Sequence, residues 1–368
     1  MHPPESETLR QSNPALRVLD ALRRRYLSID VMIILFLAGL IGWVLLGQVA
    51  PGARLYPYSD RYEWALMPAT EIVGHLLVIL ALYVLIQRFG VRFHREHAVT
   101  GVAAPKWLAF LNVAYVFTPV ALIPLVFNLL GAFIAGTSGA PDPASHAAYD
   151  AAATYDRAVT WWDLWLKEAD IALLGSYPAA AMRQYQTPFT NGVAMVCYIS
   201  YYVSPLVLAV PPVLKRDWIV VRRVAAIYCG TLLLTYVGYI LVPATGPRFE
   251  GGFKAWLSSG GTPWGMTEMQ LFLDSIEIIR WDAFPSGHVA IALVTLVLAL
   301  RYHPRVGWFY APFVAGLVGA TVFLGYHYVI DVLAGMLCAL IAFVVIEPAV
   351  KWWEGVWVPK AEAAHRAT

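Results

Sequence analysis

The chain has 368 residues, of which 59% are hydrophobic and 14% charged, with a formal net charge of +2. Water-soluble domains carry about 25% charged residues, so this composition excludes an ordinary soluble fold and assigns the chain to a membrane. A net charge so near zero identifies no partner by itself, and no nucleic-acid partner is expected.

In chain order, residues 1–28 form a polar tail that ends in Arg23, Arg24 and Arg25 against the first apolar run. That run is long enough to stay as an anchor rather than be removed as a signal. Eight runs approach the length of a membrane span, about 17–25 residues. They lie near 29–49, 65–87, 108–135, 191–213, 222–243, 286–300, 308–326 and 329–349. The sixth is short and is expected to extend into Arg301 and Tyr302 with a snorkelling side chain. The seventh and eighth nearly touch, which puts His327 in a tight turn. The 136–190 connection carries Trp161, Trp162 and Trp165, the pattern of an interfacial helix in the headgroup layer. The glycine-rich connection 244–285 is long enough to cover a site. Cys197, Cys229 and Cys338 fall inside apolar runs with no ligand spacing, so packing is their expected role.

Alternating the eight spans across a membrane puts eighteen of the 26 lysines and arginines on the N-terminal side. Only Arg54, Arg61, Arg157, Lys167, Arg183, Arg248, Lys254 and Arg280 fall on the other. Basic loops stay inside, so both termini are expected in the cytoplasm, with the plasma (inner) membrane as the location. Arg248, His288, His327 and Asp331 then share the extracytoplasmic side.

These four residues are the candidate chemistry. In Pro285-Ser286-Gly287-His288, Ser286 is a good N-cap and the sixth span begins at once. Ser286 and Gly287 therefore present a helix N-terminus to which a phosphate can bind, with His288 beside it as a proton donor. His327 and Asp331 are four apart, on one helical face. A carboxylate on one imidazole nitrogen leaves the other free as a nucleophile. Arg248, after Gly246-Pro247, can clamp phosphate oxygens, and Arg280 is a candidate second phosphate ligand. Glu71, His75 and Lys254 are weaker candidates. No Cys/His cluster suggests a metal, and no cofactor is expected. Two imidazoles, a carboxylate and a guanidinium at one membrane boundary suit phosphate-ester chemistry on a lipid phosphate or phospholipid.

The same three motifs resemble the type 2 phosphatidic acid phosphatase superfamily, whose core is similar to that of vanadium haloperoxidases. They are Gly246-Pro247-Arg248, Pro285 to His288, and His327 with Asp331, and the resemblance covers roughly 220–350. It implies a metal-free phosphohistidine mechanism, with His327 as nucleophile, Asp331 as its orienting partner and His288 as the acid. Where the phosphatases carry a Lys before the first motif and an Arg in the third, this chain has Leu241 and Thr321. With the Tyr198, Tyr201 and Tyr202 cluster, that pattern looks more like the inositol phosphorylceramide synthase branch. Water and a lipid alcohol both remain open as acceptors, and the oligomeric state stays undefined. The expected protein is an all-α integral membrane protein with about eight transmembrane helices. Tails at 1–28 and 351–368 would flank a three-span region at 29–190 and a phosphatase-like helical core at 191–350.

Overall fold

In the computed structural model the described residues are 14–45, 69–94, 117–124, 126, 127, 130, 161–249 and 281–355. Among them every regular element is helical. A backbone in lipid must satisfy its own amides and carbonyls, and a helix does so within one segment. In chain order the principal helices are α1 (Pro14–Arg25), α2 (Ser28–Leu45), α3 (Ala69–His94) and α4 (Trp161–Leu174). They continue with α5 (Pro188–Ile199), α6 (Ser204–Leu214), α7 (Trp218–Leu241) and α8 (Gly287–Tyr302). The last are α9 (Pro304–Phe323), α10 (Val329–Ile341) and α11 (Glu347–Glu354).

α7 is the centre. Asp217 caps it by accepting from the Val220 amide at 3.2 Å, and buried residues occupy every face from Val220 to Tyr239. A helix apolar all round belongs inside a bundle. α2, α6, α8, α10 and α11 pack around it. Its two threonine hydroxyls turn back onto the helix, Thr231 to the Ile227 carbonyl and Thr235 to the Leu232 carbonyl. α8 and α9 are joined at His303, with Pro304 opening α9, and pack against each other.

The eight expected spans are not established. Among the described residues four helical runs are long and apolar enough to cross a membrane: Pro188–Leu214, Trp218–Leu241, Pro304–Phe323 and Val329–Glu354. The bent pair α1 and α2 would make a fifth. α8 has 16 residues, about 24 Å at 1.5 Å per residue, short of a hydrocarbon core of about 30 Å. Arg301 near its end, expected to snorkel, instead bonds Glu347 at 2.6 Å. Most of the expected 108–135 span lies outside the described residues. The seventh and eighth spans match α9 and α10, with the expected tight turn at 324–328 between them.

α4 packs against α10. Asp163, Leu166 and Asp170 form its buried face, while Leu164, Trp165, Ile171 and Leu174 are exposed. Cys229 and Cys338 are buried and Cys197 is half-buried, all three as free thiols.

Candidate active site

The first motif follows the end of α7. Residues 243–248 are buried, and their amides need partners inside the protein. Asp163 supplies them, accepting from the Thr245 amide at 2.9 Å and the Gly246 amide at 2.8 Å. Gly246 has φ +89°, and a Cβ there would meet the Tyr326 carbonyl. Only glycine suits both conditions. The chain then makes one 3-10 turn, Pro247–Phe249, and the Arg248 amide donates to the Gly325 carbonyl at 2.7 Å. The Arg248 guanidinium lies 4.6 Å from the centre of the Tyr326 ring, a favourable cation–π placement. It is close enough to act electrostatically on both His288 and His327.

The second motif begins α8. Ser286 is the N-cap and accepts from the Val289 amide at 3.3 Å, while its own amide donates to the Asp331 carbonyl at 2.9 Å. Gly287 lies against the Tyr239 hydroxyl, where a Cβ at 287 would collide, so a glycine is needed for α8 to approach α7 this closely. His288 stacks on Tyr198 at 4.7 Å and tilts against Tyr201 at 4.3 Å. Its Nε2 is buried with no hydrogen-bond partner among the described residues.

The third motif fills the turn between α9 and α10. Gly325 takes φ +74°, and the Tyr326 and His327 amides both donate to the Thr321 carbonyl, at 2.9 and 3.1 Å. His327 Nδ1 is 2.8 Å from the Ala283 carbonyl oxygen. A carbonyl only accepts, so Nδ1 carries the hydrogen and Nε2 keeps the lone pair. Nε2 faces His288 Nδ1 at 3.5 Å. Asp331, the expected orienting partner, lies 3.6 Å from Nδ1 and also caps its own helix, accepting from the Tyr328 amide at 2.8 Å. Burial, with Arg248 adding to it, pushes the His327 pKa down to about 4, against the opposing pull of Asp282 and the Ala283 carbonyl. A neutral imidazole with one unprotonated nitrogen is the form a nucleophile requires.

The structure thus brings Arg248, Ser286, His288, His327 and Asp331 together. Arg280 and Lys254 lie outside the described residues. Glu71 is on α3, and His75 is exposed on that helix, which packs against α2. Sequence reasoning missed the Ala283 carbonyl, Tyr326, and the two acids of α4. Asp170 accepts from the Val329 and Ile330 amides, both at 2.9 Å. The signal available for those acids was their spacing of seven, which puts both on one face of α4.

A family model described as the PAP2 superfamily matches residues 164–345. A protein of Bacteroides thetaiotaomicron named phosphoinositol dihydroceramide synthase is 27% identical over 168 residues, covering 42% of this chain and 54% of that protein. The chain thus spans about half the length of this curated relative. No solved structure matches. The segment 164–345, which holds Arg248, His288, His327 and Asp331, thus matches the PAP2 superfamily model and is similar in part to the Bacteroides synthase.

Proposed function

We propose that the chain is a membrane enzyme that cleaves lipid phosphate esters through a phosphohistidine on His327 and passes the phospho-headgroup to a lipid hydroxyl. The reading rests on the two imidazoles 3.5 Å apart, one of them held by a carbonyl with its lone pair toward the other. In the first step His327 Nε2 attacks the donor phosphorus. The P–N bond forms as the P–O bond to the lipid alkoxide breaks, and His288 gives that alkoxide its proton. In the second step the acceptor hydroxyl returns a proton to His288 as its oxygen takes the phosphoryl group from His327. Arg248 neutralises the phosphate oxygens in both steps.

A lipid acceptor is favoured over water by the missing cations. Leu241 is exposed at the end of α7, and Thr321 is buried with its hydroxyl on the Val318 carbonyl. Each charge-assisted hydrogen bond contributes about 1.5–3 kcal/mol, so a dianionic monoester loses more than a monoanionic diester when two donors are absent. The name of the Bacteroides relative points the same way, to a phosphoinositol donor and a ceramide-class acceptor as the substrates to try. The test is product analysis of the purified protein with a headgroup-labelled phospholipid, with and without such an acceptor. Label should enter a new lipid only when the acceptor is present. Rapid phosphate release from phosphatidic acid, with no transfer, would leave a phosphatase instead.

The site is further proposed to face the extracytoplasmic side of the plasma membrane, with both termini inside. The distribution of basic residues supports this sidedness. In a background without native cysteines, Ser176→Cys should label from outside intact cells with an impermeant thiol reagent. Arg305→Cys should label only after permeabilisation, and the reverse pattern would place the site in the cytoplasm.

A further inference from the structure

The sequence suggests nothing for α4 beyond a place in the headgroup layer, yet its inner face touches both loops that carry the site. Asp163 is fully buried and serves the Arg248 loop. Its Oδ1 takes both amides, Thr245 at 2.9 Å and Gly246 at 2.8 Å, while Oδ2 takes the Thr245 hydroxyl at 3.1 Å and a longer share of the Thr245 amide at 3.2 Å. Tyr328, next to His327, adds its hydroxyl to Oδ1 at 3.4 Å. Asp170 is 1% exposed and serves the His327 turn. Its Oδ2 takes the Val329 amide and its Oδ1 the Ile330 amide, so each oxygen holds one amide of the first turn of α10. Seven residues of helix separate the two carboxyls by about 10 Å. Leu166 between them is fully buried.

We propose that Asp163 and Asp170 are positioning residues, a two-point brace by which α4 sets the Arg248 loop against the His327 turn. The two loops also meet directly, through the Arg248 amide and the Gly325 carbonyl, so a shift of either displaces the guanidinium relative to the imidazoles. Gly246 stands in the left-handed region, and its amide bond to Asp163 is what holds that conformation. The catalytic consequence of the brace rests on the function proposed above. The brace itself does not.

The bonding patterns differ, and the difference is testable. At 163 an asparagine can keep its oxygen on both amides, giving up only the longer share of the Thr245 amide, and turn its NH2 to the Thr245 hydroxyl, which can accept. At 170 an asparagine must set an N–H against one of two backbone N–H groups. Asp163→Asn should therefore stay within about threefold of wild type in turnover, whereas Asp170→Asn should fall nearly as far as Asp170→Ala, about 10²-fold in kcat with KM little changed. Asp163→Ala should raise KM for the phospholipid donor and weaken inhibition by vanadate, because it releases Arg248.

The deciding experiment is hydrogen–deuterium exchange on the full chain in detergent, read beside those kinetics. Asp163→Ala should lose protection in 243–248, Asp170→Ala and Asp170→Asn in 326–331, and Asp163→Asn in neither. Unchanged exchange in both loops, or two asparagine variants that behave alike, would overturn the brace. If the alanine variants fail to fold, the asparagine pair decides alone. A wild type without turnover would count against the proposed function, while the exchange pattern would still decide the brace.

Discussion

The two ends of the bundle hold buried charge in opposite ways. α7, α8 and α10 with its continuation α11 reach both. At one end Arg222 lies 4.0 Å from Glu354, which also accepts from Ser28 at 2.7 Å. Glu347 takes Arg301 at 2.6 Å and Lys351 at 2.8 Å, and Arg23 bonds the carbonyls of Trp352 and Trp353. Acids and bases neutralise each other there. At the other end Asp163, Asp170 and Asp331 give their oxygens largely to backbone amides. Arg248 sits over a tyrosine ring beside two imidazoles. Ionisable groups inside a membrane protein are costly and so suggest function, but the first end shows that some only lock helices together. What distinguishes the second end is a cation placed against imidazoles while the nearby acids are engaged by the backbone.

The largest expected effect that would break this contrast is at the nucleophile. His327→Ala should abolish turnover, with a loss of about 10⁴-fold or more, as when the attacking residue of a catalytic unit is removed. His288→Ala should cost about 10²–10⁴-fold, the range for general acid catalysis. Both should leave the purified protein monodisperse. Asp331→Asn should fall by much less, about tenfold, because the amide oxygen can still cap Tyr328 and the Ala283 carbonyl still holds Nδ1. A loss at Asp331→Asn as deep as at His327→Ala would restore the carboxylate as the orienting group.

The pH profile sharpens the same point. His327 must be neutral to attack, and its pKa is pushed down to about 4, so protonation removes the nucleophile only below that pH. The acidic limb of kcat/KM should therefore lie well below 6.5. A limb at 6.5 that vanishes in no other variant would mean that His327 titrates as a free imidazole. The smallest effect is expected at the opposite end. Glu347→Gln should leave the specific activity of folded protein unchanged and lower stability by about 1–3 kcal/mol, since a buried carboxylate loses charge-assisted bonds to the half-exposed Arg301 and Lys351. Loss of activity without loss of stability would erase the distinction between the two ends.

Much of the candidate site was legible because its side chains announce themselves. Pro285 to His288, His327 with Asp331, and Arg248 are chemically distinctive types at fixed spacings, each next to an apolar run. The partner of His327 was not legible, because the Ala283 oxygen is a backbone atom that any residue would supply. The neighbour of Gly287 was hidden too, because Tyr239 stands on α7, far away in sequence, and only packing brings its hydroxyl against that glycine. Asp163 and Asp170 read as two acids on an amphipathic helix until α4 is laid against the turns they cap. Spans were clearest where apolar runs are long, as in α7 and in α10 with its continuation through α11, and least clear at α8, where the run ends after 16 residues.

The central claim is that His327 carries the phosphoryl group, and trapping that adduct tests it most directly. The purified wild type, mixed with a labelled phospholipid donor in the absence of acceptor and quenched rapidly, should be digested and its peptides analysed by mass spectrometry under alkaline conditions. The label should be found as an acid-labile, base-stable modification on the peptide containing His327, accumulate faster in wild type than in His288→Ala, and disappear on addition of a ceramide-class alcohol. Label on another residue, or transfer to the alcohol with no adduct at His327 at any quench time, would contradict it.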